Sequence, residues 1–76
     1  MEVKILSLLV EIEPMRDFTQ SIDFINDGFL DSIGVISLVG LLESEFYIDI
    51  DGDDIIPENF INIDAIVRMI NKYTAK

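Results

Sequence analysis

Cysteine and histidine are both missing from this 76-residue chain. Without cysteine there is no disulfide staple and no thiolate nucleophile; without histidine the commonest general base and zinc ligand are gone as well. Basic side chains are scarce: 5 Lys and Arg stand against 15 Asp and Glu, a net charge of −10. Such a surface repels the phosphates of nucleic acids and anionic lipids, since affinity for either needs Lys and Arg. Basic patches on other proteins suit it better, and electrostatic steering speeds their encounter. No apolar run approaches the roughly 18 residues that a membrane span requires. The N-terminal stretch carries Glu2 and Glu11 and lacks a basic region with a small-residue cleavage site, so a signal peptide is not expected. The expectation is a soluble cytoplasmic monomer without a nucleic-acid partner or a membrane span.

Half of the residues are hydrophobic, so a core is expected despite the short length. A chain of this size makes one domain, 1–76, and buries only roughly 60–65% of its unfolded surface. Small size without staples points to well-packed helices in a reducing compartment. Residues 2–12 have helical spacing: Ile5, Leu8, Leu9 and Ile12 share a face, with Leu6 and Val10 widening it. Pro14 disfavours helix at Glu13 and ends the segment. From Glu13 to Asp31 no helical period persists. Met15, Phe18, Ile22, Ile25 and Phe29 are spaced like anchors pinning a loop, although a short helical turn also fits.

Asn26-Asp27-Gly28 is turn chemistry, and behind it Leu30-Asp31-Ser32-Ile33 opens a second helix running to Phe46. Leu38, Leu42 and Phe46 form one apolar line, expected to face the core. Ile33, Ile36, Val39/Gly40 and Glu43 form another that ends in a charge, which leaves Val35 and Val39 as an expected exposed strip beside Glu43. Ile48 and Ile50 alternate with Asp49 and Asp51 in an extended linker. Pro57 suits the start of a short helix through Phe60, with Ile56 extended before it. Asn62 is a good cap for a last helix whose stripe is Ile63, Ile66, Val67 and Ile70. Lys72 and Lys76 fall near its C-terminal end, where positive charge is favourable. The predicted fold is all-α: three main helices plus one short helix.

Chemistry has few places to reside. Asp49, Asp51 and Asp53 match the first ligands of a calcium loop, but its glycine would fall at Asp54 and its bidentate glutamate at Phe60. That excludes a dedicated calcium site, and no other metal set is present. Asp31 beside Ser32 is no catalytic dyad, because adjacent side chains diverge at a helix start and a carboxylate alone activates serine poorly. There is no G-x-S-x-G elbow, no glycine-rich phosphate loop, and little room for a substrate pocket in so short a bundle. No catalytic residue is expected and the chain does not read as an enzyme.

Ser32 is the exception. At a helix start the main-chain N–H groups are unpaired and the dipole favours an anion, so a hydroxyl there suits a covalently attached phosphate. The plain alternative is a capping role for Ser32 or for Asp31. Asp31-Ser32-Ile33, then Leu38-Val39, Leu42-Glu43-Ser44-Glu45-Phe46 and Ile48-Asp49-Ile50 resemble the signature of the acyl carrier and peptidyl carrier proteins. Ile55-Ile56-Pro57-Glu58-Asn59-Phe60 and Ile63-Asp64-Ala65-Ile66 look like the third and fourth helices of free-standing members. The resemblance extends over the whole chain and is densest from Asp27 to Ile70.

That resemblance implies a four-helix bundle with 4′-phosphopantetheine joined to Ser32 by a phosphodiester. The arm would come from coenzyme A through a phosphopantetheinyl transferase, with Asp31 assisting its recognition. An acyl- or aminoacyl-loading ligase and downstream pathway enzymes would be the other partners. Ile33 would anchor the attachment turn and offer apolar contact, with Val35, Val39, Gly40 and Glu43 further along the partner-facing helix. Ser37 and Gly40 depart from fatty-acid carriers, which often have an acidic and a larger apolar residue there. Gly28 to Gly34 look more like carriers of specialised or amino-acid-loading pathways. A rival expectation is an unmodified acidic adaptor that binds a protein through its second helix.

Overall fold

A computed structural model describes residues 1–74. It contains three α-helices, α1 (Glu2–Ile12), α2 (Ser32–Phe46) and α3 (Ile63–Thr74), and no strand among the described residues. Short 3-10 turns occupy Phe18–Gln20, Gly52–Asp54 and Pro57–Phe60. Where one short helix is expected from sequence there are thus three short turns, and two of them lie in segments that read as loop or linker. α1 packs against both α2 and α3, while the Pro57–Phe60 turn packs on α3. No helix among the described residues is long and apolar enough to cross a membrane.

The helix boundaries follow from local chemistry. α1 stops at Ile12, with Glu13 outside the helical region ahead of Pro14. Asp31 caps α2, accepting the Gly34 N–H at 2.7 Å. Asn62 does the same for α3, accepting from Ala65 N–H at 2.7 Å. Ile56 is extended before Pro57, at φ −124° and ψ 151°. Lys72 lies in the last turn of α3, whereas Lys76 falls outside the described residues.

The core is one cluster that draws on all three helices and the loops. Ile5, Leu8 and Leu9 are its contribution from α1; Leu6 and Ile12 are half-buried, and Val10 is 44% exposed rather than part of the stripe. Helix α3 buries Ala65, Ile66, Met69 and Ile70, leaving Ile63 and Val67 at the margin. The buried stripe is therefore rotated slightly from the expected one, toward Met69.

The 13–31 segment differs most from its expected anchoring. Phe18 is buried, and Ile25 and Phe29 are half-buried, but Met15 and Ile22 are 95% and 89% exposed. Phe24 and Leu30 take their place, at 1% and 2% exposure. Asp23 accepts the N–H groups of Ile25 and Asn26, winding the chain into a tight turn that aims Phe24 inward. Gly28 closes this turn at φ +77°, a backbone region that side chains disfavour. The Phe18 ring meets Phe24 and Phe29 edge-on at 5.0 and 5.6 Å between centroids.

Tyr47 ends α2 in the left-handed region, at φ 55° and ψ 47°, and its side chain is 94% exposed. A non-glycine residue there is strained, and the exposed ring recovers little by packing. Tyr47→Gly should therefore raise the free energy of unfolding by about 1 kcal/mol, measured by urea titration.

Candidate functional site

The start of α2 is built from the loop upward. Leu30 is buried, and its N–H donates to the Phe24 carbonyl at 2.9 Å, which holds the chain one residue before the cap. Asp31 then uses its side chain for Gly34 N–H and its carbonyl for Val35 N–H, at 2.7 and 2.9 Å. Among the described hydrogen bonds none takes the N–H groups of Ser32 or Ile33, the first two amides of the helix. Ser32 itself is exposed at the first helical position. Of the two capping alternatives, Asp31 is the cap and the serine hydroxyl has no capping duty.

Gly34 explains how the cap fits. A Cβ at this buried glycine would stand 3.3 Å from both Asp31 Oδ1 and a Leu30 methyl. The missing side chain lets the carboxylate come down onto the helix end. Neither periodicity nor composition singles out Gly34; the i, i+3 relation to Asp31 is the only signal that could have found it.

Two depressions flank Asp31. On one side a groove of about 380 Å³ is bounded by Ile25, Leu30, Val35 and Ile36, faced by Ile55, Ile56 and Pro57, with Asp31 and Ser32 at its rim. Its lining is mostly apolar, and its size reaches the lower range of small-molecule sites, more room than the length of the bundle suggests. On the other side a polar hollow is lined by Glu13, Arg16, Asp31 and Ser37 among others. The Arg16 guanidinium lies 5.2 Å over the Phe29 ring at this second hollow.

The remaining sequence-selected residues divide. Ile33 and Ile36 are 76% and 67% exposed, and Gly40 is also on the surface. Ile33, expected as the anchor of this turn, therefore does not hold it; Leu30 does. Val35 and Val39 are each only 8% exposed, so the expected exposed strip at these two positions is corrected. With Leu38 and Leu42 they make an i, i+3, i+4, i+7 stripe against the core. Glu43 is half-buried and turned to internal use, its carboxylate accepting the Ile50 N–H at 2.9 Å. This bond and the burial of Ile50 tie the linker to the end of α2.

Behind the groove wall lies a polar cluster that the sequence pattern does not reveal. Asp54 accepts Lys72 Nζ at 2.7 Å through one carboxylate oxygen and the Tyr73 hydroxyl through the other. Tyr73 in turn accepts the Asp51 N–H at 2.9 Å. Donation by Lys72, then by Tyr73, holds the Asp54 carboxyl below its ordinary range; the same contact with Asp54 pushes Lys72 and Tyr73 up. Asp51 also caps the 52–54 turn by accepting Asp53 N–H. Among the described residues no group of three or more potential ligands could hold a metal ion.

Comparisons of the chain with protein-family models, with curated proteins and with solved structures found no match.

Removing the cap in Asp31→Ala should cost about 1 kcal/mol in urea unfolding, with Asp31→Asn closer to wild type. Asp54, whose carboxyl is depressed in the fold, contributes stability above its ordinary value of 3.8 and loses it as pH falls through the lower folded value. The stability gap between wild type and Asp54→Asn should accordingly narrow when thermal unfolding is followed from pH 5 down to about pH 2.

Proposed function

We propose that the chain is a carrier protein of the acyl and peptidyl carrier type, with a four-helix fold in which the Pro57–Phe60 turn stands as the short third helix. In this reading Ser32 bears 4′-phosphopantetheine. The observation that carries it is the free Ser32 hydroxyl at the first position of α2, on the rim of an apolar groove. The unengaged amides of Ser32 and Ile33 suit a phosphodiester, which the positive end of the helix stabilises. A transferase would join Ser32 Oγ to the pantetheine-side phosphorus of the coenzyme A pyrophosphate as that phosphorus parts from the bridging oxygen, the serine proton passing to a base of the transferase and adenosine 3′,5′-bisphosphate leaving.

The group supplies a terminal thiol that holds an acyl or aminoacyl cargo as a thioester. The chain supplies position. A tethered intermediate meets each docked enzyme at high effective concentration and avoids repeated diffusive loss. An apolar cargo that folds back into the groove gains roughly 25 cal/mol for each Å² taken out of water. The absence of cysteine means that no internal thiol competes for the thioester. Asp31, Ile33, Ile36 and Gly40 are the residues that transferase, loading ligase and downstream enzymes would meet. The net charge of −10 favours partners with basic rims. No catalytic residue and no metal belong to this reading, and the cytoplasm is its setting.

Incubation with coenzyme A and a broad-specificity phosphopantetheinyl transferase, followed by intact-mass measurement, tests it. The expected result is a single phosphopantetheine increment that disappears in Ser32→Ala. An unshifted mass alongside a control carrier that is modified would favour the acidic adaptor, which binds a protein through α2 without an arm.

A further inference from the structure

The wall of the Ser32 groove is held by an unusual means. Between the core residues Ile50 and Phe60, at 6% and 0% exposure, the nine positions 51–59 contain no fully buried side chain. Packing on the core is partial in this stretch: Ile55 is half-buried against it, and Ile56 is 42% exposed. Its strongest attachments are polar and converge on one residue. The Asp54 side chain receives Lys72 and Tyr73 from the last turns of α3, and the Asp54 carbonyl accepts Asn59 Nδ2 at 2.7 Å. Tyr73 adds a second tie by accepting the Asp51 N–H. Ile55, Ile56 and Pro57, which follow Asp54 directly, face α2 across the groove.

We propose that Asp54, Tyr73 and Lys72 form a latch that holds residues 51–57 against α3 and thereby sets the width of the groove beside Ser32. When the latch is closed, Ile55, Ile56 and Pro57 stand opposite Val35 and Ile36. When it opens, these three residues swing away on the core anchors at Ile50 and Phe60, and the groove widens without disturbing the packing of α1 on α2 and α3. The latch deepens the carrier reading, because a movable wall beside the attachment point would cover or release an apolar cargo. The mechanical claim itself does not need the arm. Tyr73 and Asp54 are positioning residues in this scheme, since they act on the groove through the segment between them.

The test uses the unmodified chain and hydrogen exchange followed by NMR. The amides of Asp54, Ile55 and Asn59 are hydrogen-bonded in single turns, to Asp51, Gly52 and Ile56 carbonyls; isolated turns of this length are marginal, so they fray once the segment is released and their exchange reports that release. Tyr73→Phe removes two of the ties and should speed exchange at these three amides by about tenfold. Core amides in α1 and α2 should change far less, and nuclear Overhauser contacts between Ile36 and Ile56 should weaken. Asp54→Asn should act in the same direction. Lys4→Ala, which removes the ion pair to Glu45 between α1 and α2, should leave the three amides as in wild type. Unchanged exchange at Asp54, Ile55 and Asn59 in both latch variants would overturn the proposal, as would an equal acceleration of core amides. A failure of Ser32 to accept an arm would leave all these rates untouched, so the two readings fail separately.

Discussion

The peptide groups around Phe24 hold together the end of the molecule at which α2 begins. Phe24 N–H donates to the Ile61 carbonyl at 2.6 Å, and its own carbonyl accepts from Phe29 and Leu30 at 2.8 and 2.9 Å. Its ring is buried against Phe18. One residue thus joins the long loop, the approach to α3 and the residue that precedes the α2 cap. Each of these bonds lies beside a buried ring, where an unmade partner would cost its desolvation without return. If this junction moved, Leu30 would leave its seat, Asp31 would lose its line on Gly34, and Ser32 would no longer stand at a defined helix end.

The acidity of the chain has an internal use as well as an external one. Asp17, Asp23, Asp31, Glu43 and Asp51 each accept a backbone N–H from a turn, a helix start or the linker. In a chain without cysteine, these carboxylates satisfy amides that short, irregular segments leave unpaired. The excess negative charge carries a cost in self-repulsion. That cost is partly offset where a carboxylate is also a cap, and the rest of the charge remains on the surface.

The groove and the hydroxyl belong to different parts of the fold, which is why their meeting is informative. Ser32 is positioned by the loop and the α2 cap, whereas the opposite wall comes from residues 55–57, held from α3. A hydroxyl that merely started a helix would need no apolar recess beside it. Exposed Ile33 and Ile36 extend the apolar character from the recess onto the outer face of α2. The exposed hydroxyl, the apolar recess and an exposed apolar face thereby lie within a few residues of one another.

The elements themselves were written in local signals. Pro14, the Asn26-Asp27-Gly28 turn, the Asp31 cap, Ile56-Pro57 and Asn62 act over four or five residues, so neighbouring residues suffice to set where each helix begins or ends. Ser32 at the first position of α2 was legible for that reason. The rotation of α2 was not. This helix is apolar on almost every side until Glu43, so its own pattern allows more than one face inward, including one that leaves Val35 and Val39 outward. Packing on α1 decided the matter, together with Leu30 seated under Phe24. In the same way Met15 and Ile22 looked like anchors, yet the Asp23 turn directs Phe24 inward instead. Sequence by itself determined the three α-helices, the acidic surface and the place of the hydroxyl. Only the tertiary structure decided which apolar faces are buried, what the carboxylates bind and that a groove lies beside Ser32, because those depend on contacts between residues far apart in the chain.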